Sequence, residues 1–257
     1  GNMAGAIING MLRGGSCDPG AICVYDVDEK KCGRMAQKGL TVCASSVKVV
    51  QKSHIVFLAI KPQNYKEVLL GIREAAGEET VFVTIAAGIS IAYIRDQLQK
   101  NCPVARAMPN TPLLLGKGAT ALCRSDGLSD ADFERVTAIF SSSGAVEILP
   151  ESQMNTVIAV NGSSPAYIYL FAKAVLDYAE QVGIDGKAAL HLICKTLEGS
   201  AAMLQDAGST PDELIRMVSS PGGTTLKALE ALETNGFYDS LLKAMEACTK
   251  RAEELGQ

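Results

Sequence analysis

The chain has 257 residues, of which 47% are hydrophobic and 20% charged, and its net charge is −4 at pH 7. This composition gives no reason to expect disorder and is typical of a soluble globular protein with one large core or two modest ones. The acidic balance, with no basic cluster beyond isolated Lys-Lys pairs, argues against nucleic acid or an anionic membrane as a partner. A small-molecule partner fits better.

The sequence also indicates where the protein is located and whether it binds a metal. No stretch approaches the roughly 20 apolar residues that a membrane span needs, and no leader pattern opens the chain, so we expect a cytoplasmic protein. The eight cysteines are scattered and form no C-x-x-C pair, which predicts reduced thiols. With His54 and His191 as the only histidines, a histidine-based metal site is not expected.

Residues 1–150 alternate short β-rich apolar runs with helical patterns, which is typical of a parallel sheet flanked by helices. Capped helices are predicted over 28–38, 45–51 and 90–98. We therefore predict a doubly wound α/β domain over this half. Its strands are predicted at 21–25, 40–42, 54–59, 80–85, 104–108, 119–123 and 145–148.

The strand pattern disappears after Pro150, and residues 151–257 are predicted to be helical throughout. One helix start is well marked, since Thr210 can cap, Pro211 occupies the first turn and Glu213 can reach back as a capping box. A few helices alone make a thin core. We therefore expect this half to pack against another subunit.

The first residues resemble the back half of a G-x-G-x-x-A motif, in which glycines let the backbone approach a pyrophosphate at a helix N-terminus. We therefore predict that Gly1, Asn2 and Met3 contact a dinucleotide. The fragment also fits an ordinary helix start with small residues. A dinucleotide fold needs a strand before this turn, and we expect it in residues that precede Gly1; the alternative is that the chain lacks it.

An acidic residue, Asp26, ends the first predicted strand about 25 residues after Gly1, where a carboxylate can hydrogen-bond the ribose diol of an adenosine. This position favours NADH. Lys30 or Lys31 could compensate for the 2′-phosphate of NADPH, so both cofactors stay open. Asp26 could also serve only as a cap of the next helix, together with Asp28.

Three loops follow predicted strands at their carboxyl ends, where ligands bind in open α/β sheets. The first loop, Ala59–Pro62, has a lysine between a buried strand and a proline, which is unusual for a core. The second has the small Ala86 and Ala87, which would admit a flat nicotinamide. The third has the amide of Asn110 and the hydroxyl of Thr111 in a proline-stiffened turn, which suits a carboxamide. The residues of these loops that we predict to contact the cofactor are Ala59, Ile60, Lys61, Pro62, Ala86, Ala87, Asn110 and Thr111. Ser46, at the start of a predicted helix, is a further predicted cofactor residue.

Four separated motifs resemble those of the pyrroline-5-carboxylate reductase family and occur in its order. They are Ala-Ile-Lys-Pro at 59–62, Met-Pro-Asn-Thr-Pro at 108–112, Val-Asn-Gly-Ser-Ser-Pro-Ala-Tyr at 160–167 and Ser-Ser-Pro-Gly-Gly-Thr-Thr at 219–225. The resemblance runs from Gly1 to about Leu255. It implies a Rossmann-type domain over 1–150 that binds NADPH or NADH, and an all-α dimerisation domain over 151–257. The implied reaction is reduction of 1-pyrroline-5-carboxylate to L-proline.

The last motif also has a chemical interpretation of its own. Its Pro-Gly-Gly segment is predicted to stop one helix and its two threonines to open the next, which aims several N–H groups and hydroxyls at one point and suits a carboxylate. An ordinary helix-loop-helix turn is the alternative. The resemblance implies that Ser220, Gly223 and Thr224 bind the substrate carboxylate and that Thr225 contacts the ring nitrogen. We interpret Thr225 as an orienting group, because its hydroxyl pKa is high.

The sequence has no motif-placed histidine and no paired carboxylates, which suits a protonated imine that is already electrophilic and needs mainly positioning. Two residues depart from the family pattern: Asn161 stands where serine is common, and Met217 where some members have an asparagine that touches the cofactor. One alternative is another reductase of imines or hydroxy acids on the same plan, which the uncharged stretch 155–170 disfavours. The other is a non-catalytic nucleotide-binding dimer.

Overall fold

The computed structural model describes residues 1–15, 17–206 and 208–256, and its strands lie where the sequence predicts them. Each strand is short, and all belong to the first half of the chain. Their bounds are β1 Cys23–Val24, β2 Thr41–Val42, β3 Ile55–Leu58, β4 Val81–Thr84, β5 Val104–Pro109, β6 Gly118–Arg124 and β7 Gly144–Ile148.

The strands form two sheets, one of β1 and β2 and one in the order β3-β4-β5-β6-β7. β1 pairs in parallel with β2, and β3, β4 and β5 are parallel to one another, but β6 runs antiparallel to β5. The prediction of a parallel sheet is therefore wrong at β6. The reason is the short connection between Pro109 and Gly118, because a parallel crossover needs a dozen residues or more.

Helices cover both faces of the larger sheet, because successive side chains of a strand point to opposite faces. On β4, Phe82 lies in a buried cluster with Ile94, whereas Val83 lies in a second cluster with Ile7 and Phe140. This arrangement confirms the doubly wound class. The helices of this half are α1 Asn2–Arg13, α2 Glu29–Ala36, α3 Ser46–Lys52, α4 Tyr65–Ile72, α5 Ile91–Leu98 and α6 Asp130–Ser141.

The remaining half is helical, and within the described residues no strand follows Ile148. The predicted capping box is present: the Glu213 amide donates to Thr210 Oγ1 at 3.3 Å, and the Thr210 amide donates to Glu213 Oε2 at 2.7 Å. A π-helical turn, Ile158–Gly162, precedes the long helices. Those helices are α7 Ser164–Gln181, α8 Gly186–Asp206, α9 Pro211–Met217, α10 Thr224–Thr234 and α11 Phe237–Glu254.

The chain divides into two compact units, one formed by Gly1–Pro165 with Ala247–Gln257 and the other by Ala166–Glu246. The domain boundary expected at residue 150 stays a prediction, because compact units defined by their internal contacts do not have to coincide with domains. In the second unit many large apolar side chains are exposed. Across the described ranges, no helix is both long and apolar enough to cross a membrane.

Candidate active site

The three predicted cofactor loops lie at one edge of the larger sheet. Ala59 follows β3, Ala86 lies two residues beyond β4 and Asn110 follows β5, and these neighbouring strands are parallel and in register. Lys61 is exposed and precedes the 3-10 turn Pro62–Asn64. The structure thus brings together the residues that the sequence had placed at separate strand ends. On this edge they are Ala59, Ile60, Lys61, Pro62, Ala86, Ala87, Asn110 and Thr111.

A buried chain of hydrogen bonds ties the first two loops together. The Tyr65 hydroxyl donates to the Leu58 carbonyl at 2.6 Å and lies 2.8 Å from Thr84 Oγ1. Because the Tyr65 hydroxyl donates its one proton to the Leu58 carbonyl, the Thr84 hydroxyl must donate to the Tyr65 oxygen. Thr84 Oγ1 also accepts from the Ala86 amide at 3.3 Å. Burial raises the pKa of Tyr65 well above its ordinary value, which keeps the proton in place.

Sequence reasoning missed Tyr65 and Thr84. A weak signal was present, because a threonine at the end of the buried Val-Phe-Val-Thr strand must find a hydrogen-bond partner. The partner lies 19 positions away along the chain. No local pattern identifies it.

The start of α1 and Asp26 also lie together. Gly1 is the N-cap of α1 and has no side-chain cap bond, so the amides of the first turn, including Asn2 and Met3, lack helical partners. The backbone nitrogen of Gly1 is 3.9 Å from Asp26 Oδ2. A β-carbon at Gly1 or Gly5 would meet nothing within 4 Å, so the approach to this helix start is open. The arrangement fits an anionic group next to a ribose.

Asp26 has local partners that bear on its role. Its Oδ1 accepts from the Asp28 amide at 3.0 Å, and both carboxylate oxygens lie 3.4 Å from Lys31 Nζ. Partial burial raises the pKa of Asp26, but the Asp28 amide and the Lys31 ammonium outweigh it, so the net pKa is lowered. Asp28 is itself the N-cap of α2. Asp26 is therefore ionised, and Lys31 is the cation within its reach.

The remaining predicted cofactor residue of this half, Ser46, is half-buried at the first position of α3. Ser45 caps that helix by accepting from the Lys48 amide at 3.3 Å. Ser45 therefore caps α3, and the hydroxyl of Ser46 is not needed for capping.

Two asparagines join the third loop to the π-helical turn. Asn110 Nδ2 donates to the Asn161 carbonyl at 3.2 Å, and its Oδ1 accepts from the Ala119 amide at 2.9 Å. Asn161 Nδ2 donates to the carbonyls of Met108 and Ala119 at 2.8 and 3.1 Å, while its buried Oδ1 has no protein partner within the described chain. The Asn110 amide is therefore largely used by the protein, and the exposed Thr111 is the more accessible polar group of this turn.

The predicted substrate residues lie on one turn of the second unit, between α9 and α10. Gly222 has a φ of 70°, a left-handed conformation that favours glycine. A β-carbon at Gly223 would lie 2.6 Å from Ser220 Oγ, so glycine lets that hydroxyl approach the helix start. Gly223 is the N-cap of α10 and has no side-chain cap bond, which leaves the first-turn amides, including those of Thr224 and Thr225, without helical partners.

The fold and the sheet edge together define a dinucleotide-binding protein of the Rossmann class, with a helical unit in which α10 starts without a side-chain cap. Residues 1–88 match the family described as NADP oxidoreductase, coenzyme F420-dependent. Residues 151–255 match the family described as pyrroline-5-carboxylate reductase dimerisation.

Full-length relatives specify the family further. The chain is 34% identical to the pyrroline-5-carboxylate reductase of Escherichia coli, over 100% of this chain and 96% of that protein. It is also 34% identical to pyrroline-5-carboxylate reductase 3 of Danio rerio, over 100% of this chain and 89% of that protein. The chain therefore belongs to the pyrroline-5-carboxylate reductase family, and the resemblance seen in its motifs is confirmed.

Solved structures agree with this assignment. A Plasmodium falciparum pyrroline carboxylate reductase with NADP bound has a TM-score of 0.93 at 25% identity, covering 100% of this chain and 95% of that one. A Coxiella burnetii pyrroline-5-carboxylate reductase has a TM-score of 0.89 at 31% identity, with 100% and 96% covered.

Proposed function

We propose that the protein reduces 1-pyrroline-5-carboxylate to L-proline with NADPH or NADH, the final step of proline biosynthesis. The observation that carries this proposal is the uncapped start of α10, which the Ser220 hydroxyl approaches because Gly223 has no β-carbon. Membership of the family, at 34% identity over the whole chain, supports the same reaction.

The turn before α10 suits the substrate carboxylate. Unpaired amides and the positive end of the helix dipole both favour an anion at a helix N-terminus. The amides of Thr224 and Thr225 donate there, and the Ser220 hydroxyl adds a donor beside Gly223. These groups would fix one end of the substrate ring and so determine which atoms face the reducing group.

Thr225 orients the ring nitrogen. A protonated C=N bond is already electrophilic, so the protein has to position it and does not need to supply a strong acid. When bound, the nicotinamide supplies a hydride to the carbon of that bond. The hydroxyl oxygen of Thr225, on the first turn of α10, accepts a hydrogen bond from the protonated ring nitrogen and so holds the ring in place.

The cofactor is held by residues of the first unit. Gly1, Asn2 and Met3 present amides to the pyrophosphate, and Asp26 faces the adenosine ribose. Lys31, next to Asp26, gives a cation for a 2′-phosphate, so the same site serves NADPH or NADH. Ser46 and the three sheet-edge loops provide the remaining contacts, and the small side chains of Ala86 and Ala87 admit the flat ring.

The protein self-associates through its helical half. This is supported by the match of residues 151–255 to the dimerisation family and by exposed apolar side chains such as Leu170, Tyr178 and Leu192. We place the reaction in the cytoplasm. The cysteines are free thiols, which suits a reducing compartment.

One assay tests the function. The purified chain is supplied with 1-pyrroline-5-carboxylate and either NADPH or NADH, and loss of nicotinamide absorbance is followed together with formation of proline. We expect stoichiometric conversion with at least one cofactor. A folded, self-associated protein that binds a cofactor without forming proline would contradict the proposal and indicate a non-catalytic nucleotide-binding protein.

A further inference from the structure

The end of the last helix packs against the second cofactor loop, backbone against backbone. Gly88 is buried with a φ of 81°, and a β-carbon on it would lie 2.7 Å from both the Ala252 carbonyl oxygen and the Gly256 nitrogen. A β-carbon on Gly256 would overlap the Gly88 carbonyl oxygen. Both positions therefore need glycine for this approach.

The helix end is well packed at this contact. Ala252 is 3% exposed, and the Leu255 and Gly256 amides continue the helical hydrogen bonds by donating to the carbonyls of Arg251 and Glu253 at 3.1 Å. A backbone contact has no side chain that can change rotamer to absorb a displacement, so a shift of one partner moves the other.

The same loop is held on either side of Gly88. The Ala86 amide donates to Thr84 Oγ1 at 3.3 Å. Beyond Gly88, the Ile91 amide at the start of α5 donates to Glu151 Oε1 at 2.8 Å. The stretch between these two anchors is the one whose small residues face the proposed nicotinamide position, and the helix end contacts it in the middle.

We infer that the last turn of α11 and the two residues that follow it position the Ala86–Ala87–Gly88 loop for the cofactor, and that Gly256 is a positioning residue for cofactor binding. The inference rests on the proposed function, because the loop has this role only if a nicotinamide cofactor binds there. It assigns a role in the cofactor site to a residue near the carboxyl end of the chain.

Gly256→Ala is the sharpest test. The φ of Gly256 is outside the left-handed region, so alanine introduces the steric overlap without backbone strain. The matched control is Gly71→Ala in α4, where a β-carbon would meet nothing within 4 Å. NADPH and NADH are titrated into each full-length protein, and Kd is read from nicotinamide fluorescence.

We expect Gly256→Ala to weaken cofactor binding about tenfold, because small misplacements of a positioning group have effects of this size or larger. The KM for the cofactor rises accordingly. The kcat at saturating cofactor stays near the wild-type value, since the turn before α10 is untouched. The control keeps the wild-type Kd and melting temperature, whereas Gly256→Ala melts at a somewhat lower temperature but stays folded under the conditions of the titration.

Hydrogen exchange gives a readout that does not depend on turnover. In the wild type, NADPH should slow exchange of the amides of residues 252–256 as well as those of 86–88, because coupling between two sites is reciprocal. In Gly256→Ala without cofactor, the amides of 86–88 should exchange faster.

The outcomes separate this inference from the proposed function. An alanine that only frays the helix end would speed exchange at 252–256 and leave both the 86–88 amides and the cofactor Kd unchanged. That result overturns the inference and leaves the reductase intact. A wild-type chain that binds neither cofactor overturns the proposed function and the inference with it.

Discussion

The two compact units bury their apolar residues very differently. In the first unit every residue of β4 is buried, and Tyr65 and Phe140 are almost inaccessible. In the described part of the second unit the buried apolar residues are few and mostly small, whereas Leu192 is 64% and Leu170 68% exposed. The first unit completes a core of its own. The second presents an apolar surface that a second copy can cover.

The polar groups of the two candidate site regions also differ, in whether they are already engaged in hydrogen bonds. At the sheet edge, Tyr65, Thr84 and Asn110 are engaged in hydrogen bonds within the protein. At the turn before α10, the helix start has no side-chain cap. The polar side chains named at the sheet edge are therefore committed to hydrogen bonds within the protein, whereas the first-turn amides of α10 have no helical partners.

The largest expected effect comes from a charge on the apolar surface of the second unit. Leu192→Glu would place an unpaired carboxylate in the interface, at a cost of about 3 to 5 kcal/mol, and so should weaken self-association roughly a hundredfold or more. Sedimentation velocity and proline formation are measured on the same samples. Lys187→Glu, exposed on the same helix, is the control. An unchanged dimer in Leu192→Glu would show that this part of α8 is not in the interface.

Thr225→Ala tests whether the uncapped turn acts on the substrate. Loss of an orienting hydroxyl should lower kcat/KM about tenfold to a hundredfold, with little change in melting temperature because the residue is not in a core. Thr225→Ser retains the hydroxyl and should recover most of the activity. Wild-type kinetics in Thr225→Ala would remove this residue from the site.

Tyr65→Phe tests the buried network of the first unit. Without the hydroxyl, the Leu58 carbonyl and Thr84 lose their partner, which should lower the free energy of unfolding by about 1 to 3 kcal/mol. The KM for the cofactor should rise because the two loops are no longer tied. Urea unfolding and cofactor titration are the measurements. Tyr93→Phe, on α5 against the same cluster, is the control, and equal effects in both variants would contradict a specific role for the network.

Asp26→Ser should give the smallest effect on stability and a change in cofactor preference. Removing the carboxylate should raise kcat/KM with NADPH relative to NADH, since Lys31 remains for a 2′-phosphate. Glu29→Ser, in the first turn of α2, is the control. An unchanged ratio would leave Asp26 as a residue that only supports the helix start.

The pH dependence of Asp26 has a definite sign. Its folded pKa is lowered, so its contribution to stability is present above the ordinary aspartate pKa of about 3.9 and is lost as pH falls through the folded pKa. The wild type should therefore exceed Asp26→Ser in stability at neutral pH by well under 1 kcal/mol, and the difference should disappear in acid.

Local signals predicted much of the fold. Apolar runs located every strand, and serine or threonine caps located helix starts such as those at Ser90 and Thr210. The direction of β6 was not predicted, although the short connection before it contained the information. The candidate site residues could also be named from the sequence, because each sheet-edge loop and the Ser220–Thr225 turn is a short continuous motif; their roles in the site stay a prediction.

The amino-acid sequence is enough to define the helices and strands and the residues at their ends, since caps, periodicity and motif spacing act within a few residues. The folded structure is needed to know which ends meet: Tyr65 with Thr84, Asn110 with Asn161, and Gly88 with Gly256. Each of these contacts joins residues far apart in the chain. They depend on close packing and on satisfying buried polar groups, which a single chain segment cannot specify.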